Sequence, residues 1–284
     1  MAKEQKTMME TLQGEVRASW NKASSRLAAV LAVLIMVGLP LVFQDYYFNI
    51  LQVKYWYYCG VVIAAAVIYV IMAVIFWNRD RKWCDGALLK GLKSNLSLKS
   101  LTVAEWAMLA FLLASAISTL QSEYVYESFW GNEGRFVGLF MIILYTISFF
   151  IIARKLEFKK WYLDVFLGTG MIVCLIGILH YFEFDPIGFK NDLNYLDYVD
   201  FTSTIGNINT YTSYLALVVG VSTVLFTVEK EAKRKVWYTV CVVISLFALI
   251  TGISDNAYLT LLALLGLLPF VLFNSVRGVR NYVV

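Results

Sequence analysis

The sequence predicts an all-α fold, a polytopic transmembrane helix bundle of about eight spans with both termini in the cytoplasm. Hydrophobic residues make up 60% of the 284 residues and charged residues only 15%, whereas soluble domains contain about 25% charged residues. Apolar runs of about 20 residues, long enough to cross ~30 Å of hydrocarbon, recur along the whole chain. These runs are apolar on every face and lack the alternation of a membrane-spanning β-strand.

The apolar runs divide the chain into a leader, a membrane domain and a tail. A polar leader, 1–26, is too long for the first region of a cleavable signal peptide, and we expect it to be cytoplasmic. A single membrane domain, 27–276, follows, and the tail, 277–284, is also predicted to be cytoplasmic. The eight predicted spans are Leu27–Phe43, Tyr58–Trp77, Thr102–Leu120, Phe136–Ala153, Tyr162–Phe182, Thr210–Val228, Val236–Thr251 and Asn256–Val276.

The positions of Lys and Arg orient this bundle. Of the 24 basic residues, all but Lys54, Arg135 and Lys190 fall in the leader, the tail or the three loops on the same side of the membrane. Cytoplasmic loops carry an excess of Lys and Arg, so this side is predicted to be cytoplasmic. The basic residues serve as topology signals, which indicates the lipid bilayer as a partner and disfavours nucleic acid.

The longer extracytoplasmic loops have simple interpretations. Segment 44–57 is crowded with Tyr, Trp and Phe, which favours an aromatic belt or a short interfacial helix. The acidic residues of loop 183–209 do not follow the spacing of a calcium-binding loop, so solvated acids are the better interpretation. The four cysteines form no CxxC pattern. Their spacing therefore indicates neither a disulfide framework nor a zinc site.

Three ionisable residues lie within or beside the spans. Glu105 completes a capping box with Thr102 at the start of the third span. Asp164 falls in the first turn of its helix, where the helix dipole favours an anion. His180, the single histidine, is either an interfacial residue bonded to a neighbour or a base in proton transfer.

A first extracytoplasmic cluster surrounds Arg135. The segment Gly131–Gly138 contains glycines that permit a tight turn, and Arg135 stands where the fourth span begins. Its planar guanidinium suits a phosphate or a carboxylate. A structural arginine that reaches to the membrane surface is the alternative interpretation.

A second cluster leads into the sixth span and contains Ser203, Gly206, Asn207, Asn209 and Tyr211. Helix capping explains one such residue. Two asparagines, several hydroxyls and a tyrosine together favour a helix start that holds an anion or a sugar.

The third cluster is the short turn Gly252–Asn256 between the last two spans, with Ser254 and Asp255. Turn chemistry alone is the competing interpretation. If the three clusters meet, they form a polar pocket at the outer membrane surface, with Arg135 as its cation.

These clusters resemble those of the O-antigen ligase and polymerase family of bacterial membrane glycosyltransferases. The similarity is carried by Gly131–Gly138, by the Gly-Asn-Ile-Asn element at 206–209 and by the Ser254 turn before a Leu-rich helix. It covers about half of the chain, from Ser122 to Phe270.

The resemblance implies transfer of a polyprenyl-pyrophosphate-linked glycan to an acceptor glycan or lipid on the outer face of the bacterial plasma membrane, without a cofactor. Arg135 would neutralise the pyrophosphate leaving group, and a base would activate the acceptor hydroxyl. The predicted catalytic residues are Arg135 and Asp255. The predicted substrate-binding residues are Ser203, Gly206, Asn207, Asn209, Tyr211 and Ser254.

Two features differ from the family. Many members have an Arg after the Ser of the third cluster, where this sequence has Asp255. An anion there cannot hold a pyrophosphate, so Asp255 is assigned to the acceptor hydroxyl. The family also continues through further spans and a large outer loop with a catalytic His, a role not transferred to His180. We therefore expect this sequence to correspond to its N-terminal eight-span portion.

Two other classes of function stay open. The first is a non-catalytic membrane subunit that binds the glycan lipid, consistent with the missing catalytic loop. The second is a transporter or flippase of an amphiphilic anion, which needs polar residues through the bilayer centre or internal repeats. The span centres are almost wholly apolar, and no repeat is visible. The transporter is therefore the less favoured alternative.

Overall fold

The computed structural model describes residues 2–83, 100–132, 134–191, 193–194 and 197–272. About 77% of the protein is helical and almost none of it is strand, which confirms the predicted helical class. The predicted tail, 277–284, and most of the basic loop between the second and third spans lie outside the described residues.

Regular elements follow each other with short connections. In chain order they are α1 (Ala2–Val33), a π-helical turn (Leu34–Gly38), α2 (Leu39–Leu41), α3 (Ile50–Trp83), α4 (Val103–Leu120), α5 (Val125–Trp130), α6 (Leu139–Lys155), α7 (Trp161–Tyr181), β1 (Phe201–Thr202), β2 (Gly206–Asn207), α8 (Ile208–Val228), α9 (Ala232–Thr251) and α10 (Asp255–Leu272).

Several of these helices can cross a bilayer, as expected of a multi-pass membrane protein. Among the described residues, six helical segments are long and apolar enough to do so: Glu10–Leu41, Ile50–Arg81, Val103–Leu120, Trp161–Tyr181, Ile208–Val228 and Ala232–Thr251. The two remaining predicted spans correspond to α6, with 17 residues, and to α10, described as far as Leu272.

The chain divides into two compact units. The first comprises Met1–Ile35 and Tyr55–Phe158, and the second comprises Met36–Lys54 and Lys159–Val284. Each unit is described by itself.

In the first unit, α6 packs against α1 and α4. The helix α1 is continuous across the predicted end of the leader at Arg26. The hydroxyl of Tyr58 lies 2.7 Å from the Ser148 hydroxyl in the buried interior. A buried polar contact of this kind fixes the register of the two helices that carry it.

The capping box predicted at the start of α4 is present. The Thr102 hydroxyl accepts from the Glu105 backbone N–H, and the Glu105 carboxylate accepts from the Thr102 N–H at 2.8 Å. Glu105 also pairs with the Arg154 guanidinium, with 3.1 Å between Nη2 and Oε2. The cap therefore also ties α4 to α6.

In the second unit, α7, α8, α9 and α10 form a bundle with an apolar core that includes Leu167, Leu215 and Leu249. Close approach of α7 and α8 requires Gly170, because a Cβ atom there would lie 2.8 Å from a methyl group of Val218. This bundle supports the loops that carry two of the three predicted clusters.

Lys54, one of the three basic residues that the sequence places on the outer side, has a local structural task. Its ammonium donates hydrogen bonds to the carbonyls of Leu39, Pro40 and Val42. These carbonyls lie at the C-terminal end of a helix, where a cation is favoured. The positive charge of Lys54 is therefore engaged inside the unit.

Candidate functional site

The second cluster forms a small hairpin that enters α8. Strand β1 pairs with β2 in antiparallel register, Phe201 opposite Asn207 and Thr202 opposite Gly206. Gly206 has a φ of +98°, and a Cβ atom there would lie 3.2 Å from Ile50. The predicted binding residue Gly206 thus has a conformational reason for being glycine.

Ser203 sits at the tip of this hairpin and is completely buried. Its N–H donates to Nδ1 of His180 at 3.0 Å, and its hydroxyl donates to the Val173 carbonyl at 2.7 Å. Its own carbonyl accepts from the Tyr47 hydroxyl at 2.9 Å. Every polar group of Ser203 is therefore engaged within the protein, which favours a structural part over contact with a substrate.

Tyr47, which donates to the Ser203 carbonyl, is held in place by two aromatic rings. Tyr47 is buried against Phe189 and Phe201, with ring centroids 5.5 and 5.3 Å away. Burial raises the pKa of Tyr47, and the nearby Asp185 and Tyr198 raise it further. Tyr47 therefore remains a hydrogen-bond donor, and it is not a member of an exposed aromatic belt.

The hydrogen bond from Ser203 assigns the tautomer of His180. Because Nδ1 accepts from a backbone N–H, a neutral imidazole must carry its proton on Nε2. Nε2 is buried, lies 3.4 Å from Oδ1 of Asp185, and lacks hydrogen-bond geometry to any described residue. His180 is thus bonded to the Ser203 turn through Nδ1 and faces the Asp185 carboxylate through Nε2.

Asp185 anchors the loop that follows α7. Its two carboxylate oxygens accept from the backbone N–H groups of Gly188 at 2.9 Å and Lys190 at 2.7 Å. Burial raises the pKa of Asp185, but hydrogen bonds from the N–H groups of Lys190, Phe189 and Gly188, together with His180, outweigh it, so the pKa lies below its usual value. The carboxylate is therefore ionised and largely occupied.

Lys190 is a buried cation without a close anion among the described residues. Its ammonium donates to the Tyr198 carbonyl at 2.8 Å and lies 4.3 Å from the centroid of the Tyr198 ring. Burial lowers the pKa of Lys190, whereas Asp185 raises it. Its ammonium has three N–H groups, and the Tyr198 carbonyl is the one acceptor that the described residues provide for them.

Tyr211 lies in the first turn of α8 and is 1% exposed. Its hydroxyl is buried and has no hydrogen-bond partner in the described part of the chain. Gly177 makes room for it, since a Cβ atom at this position would overlap the hydroxyl oxygen. The sequence predicted Tyr211 as a binding residue, and the structure places its hydroxyl beside a cavity.

This cavity has a volume of about 220 Å³. Its wall is formed by residues of α7, the loop after it, β1, α8 and the end of α9, among them Gly177, His180, Lys190, Tyr198, Tyr211 and Gly252. It thus combines the second and third predicted clusters with donors from loop 183–209.

The remaining residues of these two clusters lie around the cavity without lining it. Asn207 caps α8, accepting from the Asn209 N–H at 3.0 Å, which is the capping interpretation of this residue. Ser254 donates to the Asn209 side-chain oxygen at 2.8 Å, so the two clusters meet. Asp255 is exposed in the first turn of α10.

The first cluster belongs to the other unit. Arg135 is exposed in the loop between α5 and α6. Gly131 has a φ of +87°, and a Cβ atom there would lie 2.5 Å from the backbone of Val137, so the loop closes tightly on itself. The ring of Phe136 stacks on Tyr55, with centroids 4.7 Å apart. Arg135 is therefore exposed on a loop whose flanking residues pack closely.

Sequence reasoning missed Lys190 as a site residue, although it marked this lysine as one of three basic residues on the outer side. That exception to the charge pattern was the available signal. In the part of the chain that the structure describes, no group of three His, Cys, Asp or Glu side chains could hold a metal ion.

Comparison with known protein families finds no match, and neither a curated protein nor a solved structure matches the chain.

Proposed function

We propose that the protein is a membrane glycosyltransferase-like protein of the O-antigen ligase/polymerase type in the bacterial plasma membrane. It transfers a polyprenyl-pyrophosphate-linked glycan to an acceptor glycan or lipid on the outer face. The observation that supports this is the meeting of two motifs, where Ser254 donates to Asn209 beside a cavity lined by Tyr211 and Gly252. These are the motifs on which the resemblance depends.

The proposal includes eight spans with both termini in the cytoplasm. The charge pattern supports this topology, since Lys54, Arg135 and Lys190 are the sole basic residues outside the cytoplasmic segments. The structure supports it through six helices of sufficient length and two further apolar helices. On this topology, the cavity beside His180 opens at the outer surface.

The chemistry assigns one role to each predicted catalytic residue. The acceptor oxygen attacks the anomeric carbon, the bond from this carbon to the pyrophosphate oxygen breaks, and the pyrophosphate leaves with both electrons. Arg135, exposed in its loop, offers a planar set of donors to the leaving anion. Asp255, also exposed, accepts the proton of the acceptor hydroxyl.

One observation favours a second candidate, a non-catalytic subunit that binds a glycan lipid. Asp255, the assigned base, does not line the cavity, whereas donors such as Tyr211 do. A protein that binds the lipid-linked glycan and presents it to another enzyme needs the donors and no base.

Substitution of each catalytic residue in turn distinguishes the transferase from the binding subunit. Arg135→Ala and Asp255→Asn are each expressed in a host that lacks the native gene, and surface glycan and lipid-linked precursor are quantified by mass spectrometry. We expect each substitution to lower transfer by about 10²-fold or more, because each removes an interaction with charge that develops in the transition state. Lys159→Ala, a change at an exposed lysine of the same protein, serves as the control.

Normal glycan with Asp255→Asn, together with loss of glycan when the whole gene is deleted, would reject catalysis by Asp255 and favour the binding subunit. Membrane abundance of every variant is measured in parallel, so that failed insertion is not mistaken for lost chemistry.

A further inference from the structure

The hairpin tip, residues 203–205, is held inside the bundle at a cost in free energy. All three residues are buried. Ser203 has a φ of +54°, a left-handed conformation that is unfavourable for a residue other than glycine. The Thr204 hydroxyl is buried without a hydrogen-bond partner among the described residues, which is also unfavourable. Contacts with the surrounding elements must therefore hold the tip in place.

Three hydrogen bonds of Ser203 do so, and one of them depends on the protonation state of its acceptor. The Ser203 hydroxyl donates to the Val173 carbonyl, and the Ser203 carbonyl accepts from Tyr47, whose pKa is raised by burial. Neither bond changes as the pH falls below neutral. The Ser203 N–H donates to Nδ1 of His180, which can accept only while it carries no proton. The third bond therefore requires a neutral imidazole.

Protonation of Nδ1 would place its new N–H against the N–H of Ser203. That buried backbone donor would then have lost its acceptor. The Tyr47 oxygen lies 3.4 Å from Nδ1 and can accept the new proton, because the hydrogen of its own hydroxyl is donated to the Ser203 carbonyl. The imidazolium ring thus has an acceptor available, and the loss falls on the hairpin tip.

The charges around His180 act on the protonated ring in opposite directions. Oδ1 of Asp185 lies 3.4 Å from Nε2, and this ionised carboxylate favours an imidazolium. Lys190 lines the same cavity as His180, and its ammonium disfavours a second cation there. The other titratable side chains of the cavity wall are Tyr181, Glu183, Tyr198 and Tyr211, of which Glu183 is exposed. The charge nearest to the ring is therefore an anion that stabilises its protonated form.

We propose that His180 is an acid-sensitive switch for this hairpin, in which protonation of the ring releases the tip 203–205 and deprotonation closes it again. The closed tip requires the neutral ring, so it is favoured above the ordinary histidine pKa of about 6.5 and is progressively lost as the pH falls below that value. The same hairpin carries Gly206 and Asn207 into α8, so its release moves residues of the second cluster.

The switch does not rest on glycan transfer, and hydrogen exchange tests it directly. The full chain in dodecyl maltoside micelles is exchanged in D₂O between pH 7.5 and 4.5, and the rates are corrected for the intrinsic pH dependence of amide exchange. Peptides that contain 203–205 should exchange about tenfold faster or more at pH 5 than at pH 7.5, because a hydrogen-bonded amide exchanges only when its bond opens. Peptides from α9 should show no such change, which excludes general unfolding by acid.

The single histidine of the chain reports its own protonation in the same sample. After labelling with ¹⁵N-histidine, the nuclear magnetic resonance spectrum should show a proton on Nε2 alone at pH 7.5 and on both ring nitrogens at pH 5. The midpoint of this titration should coincide with the midpoint of tip exchange. A ring that stays neutral down to pH 4.5, or one that is protonated without faster exchange at 203–205, overturns the proposal.

Three variants identify the group that responds to acid. In His180→Asn the amide oxygen accepts from the Ser203 N–H and does not titrate, so the tip should exchange equally at pH 7.5 and 5. Asp185→Asn should move the midpoint of tip opening to lower pH and Lys190→Met to higher pH, because they remove opposite charges beside the ring. The same acid response in wild type and His180→Asn, or midpoints that move in the same direction in the two charge variants, contradicts the switch.

Discussion

The polar side chains at the two ends of α7 differ in how fully they are hydrogen-bonded. At its N-terminal end, Asp164 accepts from the Tyr238 hydroxyl at 2.9 Å and lies 3.4 Å from the Arg234 guanidinium. Lys160, which precedes the helix, is paired with Glu229. Each of these groups has a partner on another part of the same bundle.

At the C-terminal end of α7, the buried donors are incompletely used. The Tyr211 hydroxyl has no hydrogen-bond partner in the described residues, and Nε2 of His180 lies 3.4 Å from Oδ1 of Asp185 without hydrogen-bond geometry. Lys190 is bonded to a carbonyl and to no carboxylate among these residues. At the N-terminal end, the polar groups form a closed network, in which each group has a partner, and such a network stabilises the helices that it joins. At the C-terminal end the network is open, because donors around the cavity lack hydrogen-bond partners among the described residues and can bind a ligand. The difference separates the structural end of the bundle from its candidate site.

His180 both supports the Ser203 turn and lines the cavity. Its removal is expected to have the largest effect on stability. His180→Ala leaves the buried Ser203 N–H without its acceptor and creates a cavity. We expect the free energy of unfolding to fall by about 2–4 kcal/mol. Thermal unfolding in detergent, followed by tryptophan fluorescence, measures the change.

The control for this prediction is His180→Asn, because the amide oxygen of asparagine can replace Nδ1 as the acceptor. It should recover about half of the lost free energy, on the ~1 kcal/mol scale of a hydrogen bond. Equal destabilisation by alanine and asparagine would show that the bond to Ser203 contributes little.

Gly177 tests how closely the Tyr211 hydroxyl is packed. In Gly177→Ala the new methyl group would overlap the ring of Tyr211, whose Cζ lies 2.5 Å from the Cβ position. We expect a loss of about 1–3 kcal/mol, typical of an overpacked core, in the same unfolding experiment. Gly168→Ala, on the same helix with no atom within 4 Å of its Cβ position, should be nearly neutral. Equal effects at both glycines contradict the packing argument.

Two tyrosines compare the closed and the open network directly. Tyr238→Phe removes a hydrogen bond to the Asp164 carboxylate and should cost about 1–2 kcal/mol. Tyr211→Phe removes a buried hydroxyl without a partner in the described chain and should leave stability unchanged or slightly higher. The reverse order of the two unfolding temperatures would mean that the Tyr211 hydroxyl already has a stabilising partner.

Local patterns in the sequence predicted the local features correctly. Apolar length predicted the helices, and the spacing of Thr102 and Glu105 predicted the capping box that the structure contains. The capping role of Asn207 follows from the same short-range rules. Each of these features depends on residues close together in the chain.

Contacts between distant segments could not be predicted in this way. Tyr47 reaches the Ser203 carbonyl across 156 positions, and Arg154 reaches Glu105 across 49. The composition around Tyr47 indicated an aromatic belt, since nothing local shows that its ring is buried. The cavity depends on how α7, α8 and α9 pack, so its donors were visible in the sequence as separate residues without a common site.

The smallest expected effect is on stability at acid pH, through the closed network at the N-terminal end of α7. The hydrogen bond from Lys160, aided by backbone N–H groups of Glu231 and Lys230 and opposed by burial, lowers the pKa of Glu229 from its usual 4.5 to about 2. The ionised carboxylate is thus favoured in the folded state. Its stabilising contribution is complete above pH 4.5 and is lost as the pH falls towards 2.

Glu229→Gln cannot titrate and should therefore flatten the fall of the unfolding temperature between about pH 4.5 and 2. Glu231→Gln, on the same connection and exposed, should follow the wild-type curve. Parallel curves for wild type and Glu229→Gln would show that the pair with Lys160 is absent in solution. The closed end of α7 would then lack one of the partners that distinguish it from the open end.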